Sequence, residues 1–162
     1  MKTAEVISLV RSGKFAVISY DPNNLPLRNG KPHTIFQYAD DAWWNWAYAA
    51  GKWNDCFDQS IFVANIDGVA AKICGVEYKQ DAVVADDAVL YTDGTTEPDI
   101  LDCANTLFCT DFPPHGNYTA VKCSDGYVYF QVPELDLSSL TVTERVALYR
   151  KHHLDTRGKP IR

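Results

Sequence analysis

The chain has 162 residues, 46% of them hydrophobic and 22% charged, which fits one globular domain with its own core and excludes wholesale disorder. No run of about 18 apolar residues occurs, which excludes a membrane-spanning helix. A formal net charge of −6 argues against a nucleic-acid footprint, because phosphate binding needs clustered cations.

Residues Thr3 to Ser12 read as an amphipathic helix with Gly13 as its stop; Glu5, Ser8 and Arg11 interrupt what would otherwise be a signal-peptide core. The expected location is therefore the cytoplasm. Phe15 to Tyr20 is a short apolar, β-rich run and reads as a strand. A loop dense in Pro, Asn and Gly follows, and its Asn29-Gly30 pair tolerates the positive φ angles that close a small hairpin.

The stretch "DDAWWNWAYAAGKWNDCF" holds all four tryptophans, Trp43, Trp44, Trp46 and Trp53. Asp40 or Asp41 offers a cap and Gly51 a stop, so a helix is expected from about Asp41 to Ala50. At helical spacing Trp43, Trp46, Ala47 and Ala50 share one stripe, the expected core face. Trp44 and Tyr48 are then an i, i+4 pair on a different flank, and Trp53 falls past the helix end.

"SIFVANIDGVAAKICGVEY" reads as a hairpin turning at Asp67-Gly68, and "DAVVADDAVLYTDG" as one or two further strands. Thr95 or Thr96 with Pro98 opens an expected helix to about Phe108. "YTAVKCSDGYVYFQV" is the clearest hairpin, turning at Asp125-Gly126. Thr141 and Glu144 form a T-x-x-E capping box before a helix to about Leu154. The expected architecture is α+β: a single domain over residues 1–155 with a mainly antiparallel sheet, hairpins and about four helices. Residues 156–162 are expected to form a basic, flexible C-terminal tail.

Five cysteines occur without a C-x-x-C pair, and in a cytosolic chain reduced, mostly buried thiols are expected. Cys103, Cys109, His115 and Cys123 supply the donors of a zinc site, but their spacing lacks the tight knuckles such sites use, so no metal and no cofactor is expected. The loop histidines His33 and His115 are expected to be exposed, and no motif of a known catalytic class accompanies them.

Charge is unevenly placed. Between Lys79 and Lys122 there is no Lys or Arg, whereas Asp86, Asp87, Asp93, Glu97 and Asp99 form an acidic surface there. Such a one-signed surface suits a partner protein with a cationic surface. Arg28 and Lys31 on the preceding loop and Lys52 just past the expected helix are, with Trp44 and Tyr48, the candidate partner- or ligand-binding residues. The expected function is that of a small non-enzymatic inhibitor or adaptor, of the kind phages and other mobile elements carry. It would dock an aromatic patch with an acidic surround onto a partner protein. One alternative is a nucleotide stacked on Trp44 or Tyr48. Another is a small hydrolase using His115 with Asp111 or Cys109.

Overall fold

The computed structural model of the chain describes residues 1–53, 56–85, 88–92, 96–97, 108–113 and 118–130, with residues 141 and 143 besides. Helix α1 (Thr3–Ser12) buries Val6, Leu9 and Val10. It ends as its sequence dictates: Gly13 takes φ 70°, its N–H donates to the Val10 carbonyl at 3.2 Å, and Lys14 N–H donates to Leu9 at 3.0 Å. Strand β1 (Phe15–Ser19) follows. The Asn29-Gly30 turn, with φ 53° and 75°, joins β2 (Leu27–Arg28) to β3 (Lys31–Pro32) as expected.

The aromatic stretch is not a helix. A capping box formed by Thr34 and Gln37 starts helix α2 earlier, over Ile35–Asp41. The helix stops at Trp43, which takes the left-handed φ of 60° usually given to glycine. There Trp43 N–H donates to Asp40 at 3.1 Å and Trp44 N–H to Ala39 at 2.9 Å. Trp43, expected in the core, is 93% exposed. From Asn45 to Trp53 the chain is strand β4, hydrogen-bonded along its length to β5 (Cys56–Ala64). Period two now sorts the side chains: Ala47 is buried, Trp46 is half-buried on the opposite pleat and Ala50 is exposed.

The hairpin expected at Asp67-Gly68 is a helix start instead. The Asp67 carboxylate accepts from Ala70 N–H at 2.8 Å and caps helix α3 (Gly68–Glu77). Ala71, Cys74 and Tyr78 recur on the buried side; that packing overrides the poor helix propensity of Val, Ile and Gly. Strands β6 (Ala82–Ala85) and β7 (Ala88–Tyr91) form the anticipated pair. The two ends of the helix expected from Thr96 to Phe108 are strand, β8 (Thr96–Glu97) and β9 (Phe108–Cys109); residues 98–107 lie outside the described residues. The terminal hairpin is β10 (Tyr118–Cys123) and β11 (Gly126–Phe130), its turn being Ser124-Asp125 rather than Asp125-Gly126. The helix expected over Thr141–Leu154 falls outside the described residues except for Thr141 and Thr143, and the tail of residues 156–162 falls wholly outside them.

Among the described residues there are three helices, a nine-stranded antiparallel sheet in the order β8-β7-β6-β1-β5-β4-β10-β11-β9, and the two-stranded sheet β2-β3. Helix α1 covers one face, where Phe15, Phe62 and Phe130 meet Val6, Val10, Val121 and Val128. Helices α2 and α3 lie on the other face over β1, β5 and β6, packing Ile35, Ala71 and Tyr78 on Ile18, Ile61 and Val83. Among the described residues no helix is long and apolar enough to cross a membrane.

One clasp ties the chain's start to its last hairpin. Lys2 provides no side-chain cap for α1, and Asp125 supplies it from the β10–β11 turn. Its Oδ1 accepts from Thr3 N–H at 2.8 Å and its Oδ2 from the Thr3 hydroxyl at 3.0 Å. These bonds, the backbone one first, favour the ionised carboxylate and hold its pKa below the ordinary value. A depressed folded pKa contributes stability above the unfolded value that is lost as pH falls through the folded one. The Tm gap between wild type and Asp125→Asn should therefore shrink between about pH 7 and about pH 3. Thermal melts at both pH values would show it; a constant gap would mean that the charge contributes nothing.

Candidate functional site

Among the described residues, α2 and α3 cover only part of their face of the sheet, and no described helix lies over β10 and β11 on that side. Burial alternates there from Ala120 to Cys123 and from Tyr127 to Phe130. Val121, Cys123, Val128 and Phe130 enter the α1 core, so Tyr118, Ala120, Lys122, Tyr127 and Tyr129 occupy the opposite pleat. On β4 the same pleat carries Trp46, Tyr48, Ala50 and Lys52.

The register aligns these residues in rows. Gln59, Ala50, Ala120 and Tyr129 lie opposite one another across β5, β4, β10 and β11. Phe57, Lys52 and Tyr118 make the next row on one side. On the other side Tyr48 pairs with Ile61 and Lys122 with Tyr127. The result is a shallow trough floored by two alanines and rimmed by large rings. Tyr48, Phe57 and Tyr127 are 53%, 68% and 45% exposed, and Ala50 is exposed as well.

The rim is held in place by its neighbours. Tyr129 meets Tyr118 edge-on at 5.8 Å and stacks on Tyr127 at 6.1 Å. The Lys52 ammonium sits over the Tyr118 ring at 6.0 Å. At the α2 border Phe36 is a hub, with Tyr20, Trp46 and Tyr48 at 5.5, 5.0 and 4.9 Å. The Trp46 indole N–H donates to Asp40 at 2.8 Å, and the Tyr20 hydroxyl donates to Gln59 at 2.9 Å. Burial, then the nearby Tyr48, pushes the Tyr20 phenol up.

Of the five residues the sequence nominated, Tyr48 and Lys52 lie on this face. The other three lie elsewhere. Trp44 packs on Tyr38 at 5.3 Å, and the Arg28 guanidinium lies 5.6 Å from the Tyr38 ring while bonding Glu77 at 2.7 Å. Lys31 is exposed and pairs with Arg28 in the small hairpin. Of the acidic surface, Asp86, Asp87, Asp93 and Asp99 lie outside the described residues. Glu97 belongs to β8, five strands from β4 and so about 24 Å from it across the sheet. Sequence reasoning missed Phe57, Tyr118, Lys122, Tyr127 and Tyr129. The signal was present in the alternation of Tyr118, Ala120 and Lys122 with Val121 and Cys123, inside a hairpin already read as one.

The described thiols are poor nucleophiles. Burial, with Glu77 nearby, pushes the Cys74 thiol up to about 12, and burial also raises Cys123. Cys109 and Cys123 flank β11 opposite Tyr129 and Gly126, which sets their Cα atoms about 14 Å apart, too far to share one metal. Cys103 and His115 lie outside the described residues, and Asp111 is exposed. His33, expected to be exposed, is largely covered, with Nε2 3.6 Å from an Asp41 oxygen. No protein-family model, curated protein or solved structure matches the chain.

Proposed function

We propose that this chain is a non-enzymatic binding protein, an inhibitor or adaptor, that docks onto a partner protein through the open aromatic face of its sheet. The observation that carries the reading is the exposure of Tyr48, Phe57 and Tyr127 around the Ala50–Ala120 floor. Aromatic rings are favoured anchors in interfaces, having large area and few torsions to freeze. Tyr48 is already fixed against Phe36 and Trp46, and Tyr127 against Tyr129, so less order has to be imposed on binding. Glu97, the described member of the acidic run, lies on β8 at the other edge of the sheet and is not part of this face. The nucleotide alternative is left with Tyr48, which is exposed on the docking face, because the Trp44 ring is engaged by Tyr38.

The test uses Tyr48→Ala with Tyr129→Ala. Both side chains lie off the buried core, so the double variant should keep its circular dichroism spectrum. Losing two anchors at about 1 kcal/mol each should weaken capture of the wild-type partner by about 30-fold. Trp44→Ala should capture that partner normally. A folded double variant with undiminished capture would overturn the proposal. So would a wild type that captures no protein while micromolar nucleotide quenches its tryptophan emission.

A further inference from the structure

The net charge of the chain and the charge of the described residues on this pleat have opposite signs. Among the described residues on the open pleat, the charged side chains are Lys52 and Lys122, with no Asp or Glu between them. Lys52 is held toward the trough over Tyr118, and Lys122 is exposed. At physiological ionic strength charges beyond about 8 Å are largely screened, so a docking segment would respond to these two cations rather than to the total of −6.

Their spacing is informative. Lys52 lies opposite Tyr118, and Lys122 is four residues further along β10. Four residues of strand rise about 13 Å, and one step across the sheet adds about 4.8 Å sideways, so the two Cα atoms are about 14 Å apart. The Ala50–Ala120 floor lies midway. An extended peptide repeats its side-chain direction every second residue, and positions i and i+4 are also about 13 Å apart.

We infer that the segment this face accepts is an extended, acidic one, with carboxylates at i and i+4 meeting Lys52 and Lys122 and an apolar or aromatic side chain at i+2 seated between Tyr48, Phe57 and Tyr129. The inference rests on the docking face proposed above and adds the chemistry of its partner. A single-stranded nucleic acid also stacks on rings beside lysines. Two cations about 14 Å apart track a phosphate backbone poorly, and the rest of the chain is acidic, so the peptide is the favoured occupant.

The experiment measures fluorescence anisotropy of labelled peptides with the full chain. One peptide contains Glu-Ser-Phe-Ser-Glu, a second Lys-Ser-Phe-Ser-Lys and a third Glu-Ser-Ser-Ser-Glu; an oligothymidine is the fourth probe. The first peptide should bind about ten-fold or more tighter than each of the others at low salt, and its advantage over the lysine peptide should narrow as salt rises. Lys52→Glu with Lys122→Glu should reverse the order of the first two. Equal affinities, preference for the lysine peptide, tighter binding of the oligothymidine, or no binding of the first peptide at millimolar concentration would each overturn the inference. If the Tyr48/Tyr129 variant loses the partner while the peptides fail to discriminate, only the charge assignment falls. If that variant keeps the partner, the docking face itself falls.

Discussion

Phe62→Ala should destabilise the fold by about 4 kcal/mol, a large share of the roughly 5–15 kcal/mol that holds a domain of this kind together. Phe62 is fully buried on β5, stacked on Phe15 of β1 at 5.5 Å with the rings 10° apart. Phe130 of β11 closes the triad edge-on, 5.8 Å from Phe15 and 6.5 Å from Phe62. Truncation removes a ring that three strands and α1 are built around, and the stiff Val6, Val121 and Val128 nearby cannot easily collapse into the gap. Urea denaturation should show a lower midpoint with little change in slope. Phe57→Ala, on the same strand but 68% exposed, is the control and should shift the midpoint hardly at all. Equal effects from the two would contradict the assignment of faces on β5.

Gly75→Val should cost about 3 kcal/mol for the opposite reason, because there is no room. A Cβ at Gly75 would stand 2.5 Å from Cγ1 of Val83, itself buried on β6, and 3.6 Å from Cγ2 of Thr92. Helix propensity favours valine over glycine by only a few tenths of a kcal/mol, so the clash wins. Val83 is β-branched and cannot swing its methyl aside without an unfavourable rotamer. Val83→Ala in the Gly75→Val background should return part of the loss, making the double variant more stable than the sum of the single variants predicts. Strict additivity would mean that α3 does not press on β6 here.

Both predictions depend on tertiary contacts, and that marks the limit of what the residues disclose. Local signals were sufficient wherever backbone chemistry is self-contained. Gly13 stops α1 because only a left-handed residue completes that terminus, and Asn29-Gly30 closes β2 on β3 because both tolerate positive φ. The β10–β11 hairpin followed from its period-two alternation, although its turn sits one residue earlier than the Asp-Gly pair suggested.

Where a segment fits two periods, local signals mislead. "WNWAYAAGKW" matches a helical stripe as well as an alternating strand. Trp43 in a left-handed conformation ends α2, a place where glycine would have announced the stop. Asp67 failed as a signal for a related reason: the same side chain that favours a turn also caps a helix.

The sequence by itself determined the α+β class, the antiparallel sheet, the first helix, the two tight hairpins and the concentration of aromatic residues between Trp43 and Phe57. Only the tertiary structure decided which rings face outward. Pairing of β4 with β5 and β10 put Ala47 into the α1 core and Tyr48 on the same pleat as Lys122 and Tyr127, more than seventy positions away in the chain. That choice is set by long-range register, where a slip of one residue exchanges the two faces, and no local propensity encodes it.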